Sequence, residues 1–125
     1  MAFARHLCLA LLSLSSTGIS AQIQLGEHVF RERCMVCHGL NADGKSELAK
    51  LMKPPPANLR ASLLSPDQKS TIVRKGGEAL GRSPNMPTWE QELSETELSA
   101  VLAYLGSIRA ADPAADHTAS GQKHP

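Results

Sequence analysis

The sequence predicts an all-α fold of about four helices, and three observations predict it. Apolar residues recur at helical spacing in separate stretches, two later stretches open on a capping box, and no stretch alternates apolar and polar residues as a half-buried strand does. Residues 1–21 have the layout of a secretory signal: Arg5 comes first, Leu7 to Leu14 form an apolar run, and small residues follow up to Ala21. That run is far shorter than the ~20 residues a bilayer span needs, so no membrane span is expected in the mature chain. Cleavage is expected between Gly18 and Gln22, which discards Cys8 with the leader and places the mature chain in the periplasm. Residues 22–110 make one domain, and residues 111–125, rich in Ala, Asp, Ser and His, read as a disordered tail.

The first helix is expected from Ile23 to Arg33, with Gly26, Val29 and Phe30 on one face. A short second helix from Ser46 to Lys53 would group Leu48, Leu51 and Met52. Pro54, Pro55 and Pro56 end it, because proline lacks a donor and its predecessor avoids the helical region. The third opens on Ser65, Pro66, Asp67 and Gln68, a capping box with proline at the first helical position, and closes at Gly76 and Gly77. The last is capped by Ser94 with Glu97 completing the box, and Leu93 can staple to Leu98 across the cap. Its stripe of Leu98, Val101, Leu102, Leu105 and Ile108 follows the helical period.

The chemistry is carried by Cys34-Met35-Val36-Cys37-His38. A C-x-x-C-H run reads as a covalent attachment site for one haem c. Two thiols three positions apart can both bond the vinyl edge of one porphyrin, and His38 then meets the iron from the same side. A zinc site, a redox dithiol and, in an oxidising compartment, a plain disulfide are the rivals. Zinc would need further ligands, for which the mature chain offers no other Cys and, outside the motif, only His28, His117 and His124; a thioredoxin-like dithiol would need a βαβ frame, of which there is no sign. Aromatic content of 3% also leaves such a chain short of core, which a large flat cofactor would supply.

The sixth iron position decides between electron transfer and ligand chemistry. Met35 lies inside the attachment turn, and Met52 on a helix face suits gap filling. Met86 is the favoured ligand, since Pro84 and Pro87 hold its loop extended and can push the thioether into a pocket. His28 is too near the turn, and His117 and His124 lie in the tail. The charge is uneven: residues 22–82 hold 10 basic and 6 acidic residues, and residues 83–125 hold 2 and 6. This is either a mixed solvated surface or a basic rim that steers an acidic redox partner. Without a polybasic run interleaved with aromatics, nucleic acid is not an expected partner.

Together these residues resemble the class I c-type cytochromes: Gly26 to Phe30 in the first helix, the C-x-x-C-H turn followed by Gly39, the Met86-Pro87 loop, and Ala103-Tyr104-Leu105 in the last helix. The resemblance implies a cytochrome c fold in which Gly26 and Phe30 cross the last helix near Val101 and Tyr104. It also implies that one of the three prolines accepts the other ring N–H of His38 through its carbonyl. Trp89 would pack by the haem or serve as a core or surface anchor. The chain departs from better-known members in lacking their recognisable propionate-holding residues, and Arg60 is the candidate here. The implied function is single-electron transfer, non-catalytic by itself, with His38 and Met86 as axial ligands and redox proteins as partners. The alternatives are a haem subunit of a dehydrogenase or sulfur-oxidising complex, and a ligand-binding or peroxidase-like protein with a labile Met86.

Overall fold

The computed structural model describes residues 15–109; the expected tail and most of the expected leader fall outside them. Among the described residues the regular structure is entirely helical. Helix α1 spans Ser15–Val29, a π-helical segment spans Phe30–Cys34, and α2 spans Met35–His38. Helix α3 (Pro66–Lys75) and helix α4 (Glu95–Ser107) follow, with 3-10 turns at Leu48–Leu51 and Gly77–Leu80.

The first helix differs from expectation at both ends. It begins at Ser15, so it includes the residues between which cleavage is expected, and at Phe30 the chain widens by one residue per turn. The Met35 N–H reaches back five residues to the Phe30 carbonyl, and regular helix resumes through His38. Periodicity located the apolar face but not the inserted residue, which leaves no mark on a pattern so short.

The core lies where α1 crosses α4, the most extensive pairing of elements. Phe30, Leu98 and Val101 are its largest fully buried side chains, and the Phe30 and Tyr104 rings lie 5.5 Å apart at 45°. Gly26 allows that crossing, because a Cβ there would collide with the Ala100 carbonyl and stand 2.8 Å from the Tyr104 Cβ. The expected crossing of Gly26 and Phe30 with the last helix is therefore observed.

Both capping boxes form. Ser65 accepts from the Gln68 N–H and Ser94 from the Glu97 N–H, each answered by the partner side chain at the cap N–H. Leu93 and Leu98 are both buried in one cluster, as a staple requires. Arg74 on α3 reaches α4 through two 2.7 Å contacts to Glu95.

The expected second helix is a correction. Only the 3-10 turn Leu48–Leu51 forms, and it buries Ala49, while Leu48 is exposed and Leu51 is 81% exposed. Eight residues between a loop and three prolines, Ser46 to Lys53, are too few to repay the cost of starting an α-helix, and the Ser46 hydroxyl binds the turn instead by accepting from the Ala49 N–H.

Candidate functional site

Helix α2 carries the attachment motif, and its position is set from both sides. The π segment hands over Cys34, and Gly39 ends α2 with its N–H on the Met35 carbonyl at 2.9 Å. Beyond it the chain folds back on itself. The Gly44 N–H donates to the His38 carbonyl at 2.8 Å, and the Ser46 hydroxyl donates to the Cys37 carbonyl at 2.9 Å. The loop from Gly39 to Gly44 holds three left-handed residues, Gly39, Ala42 and Gly44. Ala42 is buried, and its carbonyl accepts the Leu59 N–H at 2.8 Å, which ties this loop to the segment after the prolines.

Cys34 and Cys37 are partly buried and unbridged. Burial, and secondarily the neighbouring Cys37, pushes the Cys34 thiol up to about 11, so it is protonated at neutral pH. His38 is the one buried polar side chain among the described residues, and burial lowers its proton affinity against the opposing pull of a backbone carbonyl. That carbonyl belongs to Ala57: His38 Nδ1 donates to it at 3.0 Å. With Nδ1 so engaged and the ring neutral, Nε2 is left as the electron-pair donor. The expectation that Pro54, Pro55 or Pro56 would orient the ring is corrected here, because the acceptor is the next residue along. The prolines carry the chain past His38, and the first carbonyl after them meets the ring.

Met86 sits half-buried in a loop docked on the end of α3. Its carbonyl accepts the Gly77 N–H at 3.0 Å, and the Trp89 N–H reaches the Val73 and Arg74 carbonyls at 3.1 and 3.2 Å. These bonds satisfy the carbonyls that the helix end leaves over and fix the loop in place. His38 and Met86 are close. Trp89 packs against the core, while Arg60 and His28 are exposed. His117 and His124 lie outside the described residues.

The donor set fits a covalent haem c. Two unbridged thiols stand beside a neutral, anchored imidazole, and a half-buried thioether is held by a separate loop. Among the described residues no cluster of three or more His, Cys, Asp or Glu could hold a metal ion, so the C-x-x-C pair is not part of a zinc site built from these residues. Sequence reasoning missed Ala57, Gly44 and Ser46. The first was hidden by its three proline neighbours, and the other two sit in Asn41-Ala42-Asp43-Gly44-Lys45-Ser46, whose turn composition was the available signal.

Comparison with known proteins places most of the chain within one family. Residues 21–105 match the family model of cytochrome c oxidase, cbb3-type, subunit III. The chain is 31% identical over 98 residues to the cbb3-type cytochrome c oxidase subunit FixP of Azorhizobium caulinodans, covering 78% of this chain and 31% of that protein. It is 31% identical over 83 residues to FixP of Bradyrhizobium sp. (strain ORS 278), covering 66% and 26%. It is 27% identical over 89 residues to subunit CcoP of Azospirillum brasilense, covering 71% and 29%. The chain thus spans less than a third of the length of these relatives. A chain of the reducing HAO-like protein complex of Kuenenia stuttgartiensis shares the fold with a TM-score of 0.57 at 20% identity, over 82% of this chain and 46% of that one.

Proposed function

Because the chain belongs to the family of cbb3-type cytochrome c oxidase subunit III, a family of c-type cytochrome domains, we propose that it is an exported single-electron carrier with His38 and Met86 as axial ligands. Family membership brings one covalently bound haem c and an electron-transfer role. When bound, haem c supplies a one-electron couple between ferrous and ferric iron. The chain's own residues bind, orient and shield. Cys34 and Cys37 hold the group through their sulfurs, His38 offers Nε2 while Ala57 fixes its ring, and the docked loop presents the Met86 sulfur. Two ligands retained in both oxidation states leave little to reorganise on transfer. The fold is the cytochrome c fold, all-α and built from about four helices.

The observation that carries this reading is the anchored His38 beside two unbridged thiols. A redox titration followed by absorption spectra tests it on the holoprotein. Met86→Ala should remove the weak red sulfur-to-iron band of the ferric protein and lower the midpoint potential. An unchanged band would refute Met86 as ligand. Rapid binding of carbon monoxide by the reduced wild type would instead favour a labile Met86 and ligand chemistry.

A second reading is favoured by the relatives themselves. All three are named as oxidase subunits more than three times as long as the matched stretch, and the structural neighbour is part of a complex. In that reading the chain is the haem-bearing piece of a stable assembly. Copurification of a second chain in stoichiometric amount with the native protein supports it, and a monodisperse monomer from its own cells excludes it.

A further inference from the structure

We propose that Gly44 is a positioning residue for His38, setting the hydrogen bond between the His38 ring and the Ala57 carbonyl. The inference rests on the reading that His38 ligates the iron. Gly44 lies against the backbone of both residues that make that bond. Its N–H donates to the His38 carbonyl at 2.8 Å, which fixes it to the backbone of the ligand-bearing residue. Its Cα faces the strap that carries the acceptor: a Cβ there would stand 2.5 Å from the Pro56 carbonyl oxygen and 3.2 Å from the Ala57 carbonyl carbon and oxygen. Those atoms are backbone, so relief requires the strap and the Gly44 loop to move apart, and either shift disturbs the bond between the Ala57 oxygen and His38 Nδ1, which now measures 3.0 Å.

Gly44 also has a φ of +79°, at which any side chain is strained, so its replacement has two effects that must be separated. Gly81 makes the separation possible. It has a φ of +63° but faces open space, so Gly81→Ala carries backbone strain without a collision. Asparagine tolerates the left-handed region better than alanine, so Gly44→Asn keeps the collision at smaller strain.

The experiment uses haem-loaded protein and reads the ring directly. In Gly44→Ala and Gly44→Asn, exchange of the His38 Nδ1 proton with solvent should be measurably faster than in wild type, because the hydrogen bond that orients the ring is weakened. The midpoint potential should rise, because a histidine with a weaker hydrogen bond donates less and favours ferric iron less. Gly81→Ala should match wild type in both. Wild-type exchange and potential in the Gly44 variants would overturn the proposal. Failure of the ligand reading is distinct: it appears in the wild type as an Nδ1 proton with no paramagnetic shift in the ferric state, whatever the glycine variants do. If the Gly44 variants do not accumulate, native-state hydrogen exchange on wild type decides. The Gly44 N–H and the His38 Nδ1–H must then open with one denaturant dependence, and independent opening overturns the proposal.

Discussion

At the scale of single residues, small groups do as much as large ones. Gly26 lets α1 approach the Ala100 carbonyl, and Gly26→Ala inserts a methyl where backbone already stands. Overpacking of this kind costs about 1–3 kcal/mol, so the denaturation midpoint of the holoprotein should fall with the m-value kept. Phe30, 1% exposed, is the opposite case, and Phe30→Ala should cost about 3–5 kcal/mol by leaving a cavity against Tyr104. Wild-type midpoints in either variant would mean that the crossing relaxes without loss. The sequence made both residues legible, since their spacing puts them on one helical face. Ala57 was not legible, because nothing in an alanine announces that its carbonyl will receive an imidazole. Such a role belongs to the backbone path, which the prolines set.

At the scale of elements, the helices whose ends are written in side chains were readable and the others were not. The boxes at Ser65 and Ser94 predicted two starts correctly, while the π segment carries no such mark. Ser94→Ala should cost about 1 kcal/mol, seen as a lower melting temperature. The same cap gives a pH dependence. Hydrogen bonds from the Ser94 backbone and then its side chain hold Glu97 below the ordinary 4.5, and the Arg74 hydrogen bond does the same for Glu95. A carboxylate with a depressed value stabilises the fold above 4.5 and loses that contribution as pH falls through its folded value. The contribution of these two carboxylates to the melting temperature should therefore be level above about pH 5.5 and decline on the acid side. The decline should be shallower in Glu97→Gln, which keeps an acceptor at the cap and does not titrate; equal acid slopes in the two proteins would show that the cap charge adds nothing. The failed second helix has its own lesson, since Leu48, Leu51 and Met52 shared a helical face in the sequence but had too few residues to make a helix.

At the scale of the whole molecule, the fold class was legible because helical periodicity and caps are local, and the cofactor because five adjacent residues specify it. The partner was not, since it depends on surfaces brought together from distant segments. The basic excess of residues 22–82 makes one testable statement at this scale. If it steers an acidic partner, the second-order rate of electron transfer should fall as ionic strength rises from about 0.01 to 0.15 M, where the screening length shrinks from about 30 to 8 Å. A rate independent of salt would mean that the charge plays no part in the encounter. The crossing of α1 and α4 also has a consequence in time. It joins the first described helix to the last, so the core has no second wall until the end of the domain has been synthesised, and closing so long a loop comes late. Until then Cys34 and Cys37 lie on a chain whose neighbouring Phe30 has nothing to pack against. Phe30, and the partly buried Cys34 packed against the same core, thus gain their helix partner last.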